Sequence, residues 1–272
     1  MVDSCVAVGQ IGGLLFLAYL GVLSASRAYW MIGAACGLGT LAWLIWVRTE
    51  FKLRISRAIM DLGHTWAFGK WLFASALLWT LSMSLYPWFL AGFHGTASAG
   101  VWAACLGIVA IGNPLLIGAQ NFLGPRIAHS FAEGGVGALR RFAFRTSMIF
   151  SSMMIPLCLI LLVFGGSLMG RLYGSKYSGN GAVVSVLAVN LLVSGAAFTY
   201  SRALFAMERA DMDFKVGFVA LAVQLAVGLW LVRAWGPIGA ASGLLMGNTG
   251  ACAVRCASFF LLTRSLAERQ TK

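Results

Sequence analysis

The sequence predicts an all-α integral membrane protein with about eight transmembrane helices, on the strength of its composition and the way its charges are spaced. Of 272 residues, 60% are hydrophobic and 10% charged, where a soluble domain has roughly 45–50% apolar and about 25% charged residues. Mean hydropathy is +0.86. The charges are also segregated, because residues 4–26, 28–47, 71–125, 146–170, 177–201, 216–232 and 234–254 contain no Asp, Glu, Lys or Arg. A hydrocarbon layer about 30 Å thick takes roughly 20 apolar residues per helix. Most of these runs therefore make one span, and the longest, 71–125, makes two.

The long run divides at GFHGTASAG (92–100), where turn-forming residues cluster between apolar stretches. The expected spans are then 4–24, 29–47, 71–92, 98–124, 144–164, 181–203, 215–232 and 237–263. Helices are favoured over a barrel, since lipid cannot satisfy open backbone groups and the alternating ten-residue pattern of barrel strands is missing. The start, MVDSCV, has no basic region and leads into too long an apolar run for a cleaved signal. Cys5, Cys36, Cys105, Cys158, Cys252 and Cys256 all fall in or beside spans, in no metal-ligand spacing and no external disulfide pattern.

The basic residues orient the chain. With the amino terminus inside, inner connections and the tail carry Arg48, Lys52, Arg54, Arg57, Lys70, Arg126, Arg140, Arg141, Arg145, Arg202, Arg209, Lys215, Arg264, Arg269 and Lys272. The outer side has only Arg27, Arg171, Lys176 and Arg233. Cytoplasmic loops hold the Lys and Arg excess in most membrane proteins, so both termini are placed in the cytoplasm. The net charge of +12 then describes a face turned to anionic head groups. No loop is long enough to be a basic nucleic-acid domain, and no nucleic-acid partner is expected.

Four segments follow from this reading. Residues 1–48 form two transmembrane helices. Residues 49–69 form a basic linker that alternates charged and apolar residues and suits the membrane surface as an amphipathic helix. Residues 70–265 form six helices, and 266–272 a cytoplasmic tail. The inner loop 126–145 contains a flexible GGVG patch, and 165–180 is a Gly- and Ser-rich outer connection.

Several pieces in the six-helix part occur in a telling order. GKWLFASALLWTLSMSLYPWFLAGFHGTASAGVWAACLGI opens it, a second helix with Pro114 ends in FLGPRIAHSFAEGG, LYGSKYSGNGA lies outside, and WGPIGAASGLLMGN opens the last span. Over 70–263 the chain resembles the Wzx-type polysaccharide flippases of the multidrug/oligosaccharidyl-lipid/polysaccharide exporter superfamily. The resemblance implies two six-helix lobes that move lipid-linked sugars by alternating access. It makes 70–263 the second lobe and the first two spans a remnant of the preceding lobe, so the expected chain is truncated, a fragment, or a short form that pairs with another lobe or a second copy.

Ionisable residues within a bilayer are costly and tend to mark pathways or partners. Arg255 is the one such residue, and Asn248 shares its helix face seven residues earlier. Two readings stand side by side: a cationic cavity gripping a pyrophosphate or acidic sugar, or a guanidinium that snorkels to the interface. Gly239, Gly243, Gly247 and Ala251 form an adjoining small-residue stripe suited to close helix packing. Asn113, Gln120, Asn190 and Gln224 complete the candidate pathway, with interhelical hydrogen bonding as the plainer account of each.

No acidic residue falls deep within a span. That speaks against a cation-coupled drug exporter, which needs a membrane carboxylate. Asp211 and Asp213 form a D-x-D that reads as solvated loop charge, and His94 as a lone outer interfacial residue. No G-x-S-x-G, H-E-x-x-H or P-loop pattern is present, so no enzyme, catalytic residue, metal or cofactor is expected. The expected function is flipping of an undecaprenyl-diphosphate-linked oligosaccharide in a bacterial inner membrane, alongside a polysaccharide polymerase complex. A non-transporting scaffold of such a complex and a drug exporter are the alternatives.

Overall fold

The computed structural model describes residues 2–22, 24–48 and 55–270, and every element in it is helical. It divides into two units, Met1–His64 and Thr65–Lys272. In the first, α1 (Val2–Tyr19) and α2 (Ala25–Val47) form a hairpin that reverses at Gly21, φ 67°. Gly9 faces Ala35, Gly13 faces Met31 and Gly39 faces Val6, the pairing of two antiparallel helices held close by small residues. No residue of α2 is buried. An apolar helix with no buried face fits lipid rather than water. Of the expected surface linker, residues 49–54 lie outside the described residues, and from Ile55 onward it is already the start of α3 (Ile55–His94).

In the second unit the chain reverses at single residues of positive φ. These are Gly95, Gly135, Gly174, Glu208 and Gly236, in a region where a Cβ is costly and glycine is not. Glu208 is the exception in kind, closing the turn between α6 (Gly181–Ala206) and α7 (Ala210–Val223). The reversals separate the end of α3 from α4 (Thr96–Val109), and they fold α5 (Asn113–Tyr173) and α8 (Leu229–Gln270) back on themselves. The two legs of α5 are antiparallel. A Cβ added at Gly112 would lie 3.0 Å from Leu157, and one at Gly107 would lie 2.7 Å from the Tyr173 hydroxyl.

Five described segments are long and apolar enough to cross a membrane: Ala25–Val47, Thr65–His94, Thr96–Tyr173, Ser175–Ala206 and Ala210–Leu266. Thr96–Tyr173 contains the reversal at Gly135, and Ala210–Leu266 the one at Gly236. Two of the five prolines stand where a helix begins, while Pro87, Pro125 and Pro156 lie inside α3 and α5. Pro114 sits in the first turn of α5, after a 3₁₀ turn at Ala110–Gly112, and Pro237 directly follows the Gly236 reversal.

Two expectations need correction. The GGVG patch is not a flexible loop, because helix runs up to Gly134 and resumes after Gly135. Residues 165–173, expected in an outer connection, are the last turns of α5, and only Gly174 and the 3₁₀ turn Ser175–Asn180 connect. Gly165, Gly166 and Gly170 are there for proximity: they face Val184, Gly181 and Ser178.

Two large cores fill the second unit among the described residues, beside a small cluster of Val216, Ala220 and Ala251. One gathers Tyr86, Leu90, Trp102, Ile108, Leu161 and Leu187, and the other Ile127, Leu139, Ala143, Tyr200, Leu204 and Phe259. Helix α6 contributes to both. Between lipid-facing helices no hydrophobic gradient drives association, so close packing must. The small-residue stripe finds its partner here, in the segment that precedes it: a Cβ at Gly243 would meet the Gly228 Cα at 2.7 Å, one at Gly247 would meet Gln224, and one at Gly239 would overlap the Leu231 carbonyl. Gly239→Leu should therefore cost about 3 kcal/mol, read as a lowered melting temperature in detergent. Gly118→Ala, whose methyl meets nothing within 4 Å, should stay within about 1 kcal/mol of the parent. Equal melting of the two would refute the backbone contact.

Candidate functional site

The candidate site is assembled along α8, on the helix face that Gly243 and Gly247 hold against residues 224–228. Gln224 opens a π-helical turn, Gln224–Gly228, between α7 and α8. Such turns widen a helix locally and swing one side chain out of register. Here the side chain is Gln224, buried against Gly247. Its Nε2 donates to Asn248 Oδ1 at 3.3 Å, and Asn248 Nδ2 donates to Asn190 Oδ1 at 2.8 Å. Three of the sequence-predicted residues, from three separate helical segments, thus form one hydrogen-bonded chain. It ends in an unpaired acceptor, since Gln224 Oε1 is buried without a partner among the described residues.

Asn113 is not part of this chain. It is exposed at the start of α5. The side chain of Gln120 lies outside the described residues.

Two turns further along α8, Arg255 Nε donates to Asp213 Oδ1 at 2.7 Å. The two side chains retain only 16% and 10% of their exposure, so this is a buried ion pair and not a rim contact. Asp213 is therefore not the solvated loop charge that the D-x-D suggests. Residues two apart on a helix point to different sides, and in the first turn of α7 they meet different fates. Asp211 stays near the surface with Arg209 at 3.1 Å and Lys215 at 3.5 Å, while Asp213 turns inward. Sequence reasoning missed this residue, although it stands just before a predicted span and across the bundle from an unpaired arginine.

His94 also has a partner. Its Nε2 lies 2.7 Å from the Val232 carbonyl, which can only accept, so that nitrogen carries the proton and ties the end of α3 to the turn before Gly236. Tyr86, by contrast, buries its hydroxyl without a partner against Gly228 and Gly243. Among the described residues no group of three or more His, Cys, Asp or Glu is placed to hold a metal ion.

Neutral amides that both donate and accept suit hydroxyl-bearing groups, and the neighbouring arginine suits an anion. The ion pair also has a structural side. Removing one partner leaves the other charge buried and typically costs about 3–5 kcal/mol, whereas replacing both with apolar residues is often nearly neutral. Arg255→Met and Asp213→Leu should each lower thermal stability in detergent by such an amount, and the double variant should recover most of the loss. Additive losses would mean that the two side chains do not interact.

Comparison with known proteins adds the wider context. A family model described as polysaccharide biosynthesis protein matches residues 17–180. No curated protein matches the chain. Among solved structures, a mutant of the Vibrio cholerae MATE transporter VcmN is 18% identical with a TM-score of 0.81, covering 97% of this chain and 62% of that one. Inward-facing and outward-facing conformations of a multidrug resistance MATE family transporter of the MOP superfamily are each 14% identical. Their TM-scores are 0.74 and 0.76, with 98% and 100% of this chain covered. The shares of those chains covered are 64% and 62%. The chain has the fold of these transporters and spans somewhat under two thirds of their length.

Proposed function

The chain belongs to the polysaccharide biosynthesis protein family, and from that membership we propose that it translocates an undecaprenyl-diphosphate-linked oligosaccharide, or a related polysaccharide precursor, across a bacterial inner membrane. The observation that carries the proposal is the conjunction of this family with the fold of MATE transporters. One supplies the polysaccharide context, and the other a helical architecture that in transporters rocks between two faces. The chain crosses the membrane eight times with both termini in the cytoplasm. Residues 70–265 act as a lobe that works against a second lobe or a second copy, beside a polymerase complex.

The site chemistry supports this substrate class. The Asn190, Asn248 and Gln224 amides match sugar hydroxyls, and Arg255, whose Nε is held by Asp213, has its terminal nitrogens left on the same helix face for the anionic linkage. A cation-coupled drug exporter of the same fold needs a free membrane carboxylate, and the buried one here is already committed to Arg255. The second reading is a scaffold role in a polysaccharide assembly complex, which needs the membrane helices and no translocation.

Expression of this chain alone in a flippase-null strain should restore surface polysaccharide. The apolar double variant at Asp213 and Arg255 should reach the membrane in equal amount and fail to restore it. Restoration by the double variant would remove Arg255 from the pathway. No restoration by the wild type, with a polysaccharide complex that still needs the chain to assemble, would establish the scaffold.

A further inference from the structure

Asp213 stands among two guanidinium groups and pairs with one. Arg255 takes its Oδ1 at 2.7 Å, while Arg202, near the end of α6, feels the carboxylate only at longer range. Arg202 lies over the rings of Phe198 and Phe205, 4.8 and 5.7 Å from their centres. The spacings of four and three residues place all three on one face of α6. Such contacts use the flat face of the guanidinium. Its five N–H donors point outward in the plane, and these find nothing: among the described residues Arg202 makes no hydrogen bond or ion pair, and its Nε is buried without a partner. Two buried or half-buried arginines against one carboxylate leave one positive charge and a donor fork unanswered.

We propose that Arg202 is the fixed part of an anion site at the basic end of the second unit, and that its ligand is a phosphate head group. A planar fork is matched by two oxygens of a phosphate. Flanked by two phenylalanines, the half-buried guanidinium has its Nε shut in, while its terminal nitrogens are left to meet a ligand from outside. The aromatic flanks also suit a phosphate that arrives with an apolar tail, as at a membrane surface. The assignment rests on this local charge balance and stands apart from the transport proposal, since a binding assay reads it without any translocation.

The full-length protein in neutral detergent is exposed to phosphatidylglycerol, to phosphate-free monogalactosyldiacylglycerol, or to inorganic phosphate, and retained ligand is read by native mass spectrometry and calorimetry. The wild type should hold phosphatidylglycerol about ten-fold more tightly than Arg202→Gln. Arg202→Lys, which keeps charge and loses the fork, should fall between them. Arg126→Gln removes an exposed arginine from a similar contact over Phe122 and should bind as the wild type does. Loss in the Arg202 variants without competition from inorganic phosphate identifies a lipid ligand, and inorganic phosphate bound in an Arg202-dependent manner identifies a free anion. Either upholds the site. Equal binding by wild type and Arg202→Gln, or equal retention of the phosphate-free lipid by wild type, overturns it. Should Arg202→Gln fail to fold, unchanged affinity in Arg202→Lys is the overturning result.

Discussion

The approach of the α8 backbone at Gly243 to the π-helical turn at Gly228 is the constraint on which the rest of the second unit depends. With 2.7 Å between the Gly228 Cα and the place where a Gly243 Cβ would be, no other residue fits at Gly243, and a Cβ on Gly228 would press on the Tyr86 hydroxyl at 2.9 Å. In lipid this contact has to be made by shape, because apolar side chains gain little by leaving one another for acyl chains. It then dictates what sits above and below it. Tyr86 closes over the two glycines, Gln224 is pressed against Gly247 by the π-helical turn, and the pitch of α8 carries the same face onward to Asn248 and Arg255. The polar residues meet because the glycines touch.

Much of this was legible in the sequence, and what was not has physical reasons. Lack of charge marks a helix in lipid, so the apolar runs and the glycine stripe were readable one residue at a time. The stripe's partner was not, since a periodic pattern says that a face is close to something without saying to what. Gly165, Gly166 and Gly170 misled for a related cause. Glycine signals a turn in water, but in lipid it is also the residue that lets two helices touch, and composition cannot separate the two uses. Asp213 was misread because burial at a helix end depends on which way the first turn faces. The pairing of Asn190 with Asn248 and Gln224, by contrast, was within reach, as polar residues in apolar spans must find one another.

The charges have a graded arrangement. At the surface, Asp211 balances Arg209 and Lys215, where screening makes each pair weak. Deeper, Asp213 and Arg255 form a pair shielded from water. Deeper still along α8, charge gives way to neutral amides that share hydrogen bonds in sequence. An anion entering from the basic end would meet attraction first and then groups that bind without holding it by full charge.

The turns between helices have a consequence for how such a chain varies. Gly95, Gly135 and Gly236 each reverse the backbone within a single residue, and Gly174 does so with only the 3₁₀ turn Ser175–Asn180 beside it, leaving little slack between one helix and the next. Adding one residue inside a helix would turn everything beyond it by about 100° about its axis, sending amides toward lipid and leucines toward the amides. With so little loop to absorb the error, insertions and deletions inside the helices between residues 96 and 270 are far more damaging than substitutions. Length, as much as composition, is what this part of the chain has to conserve.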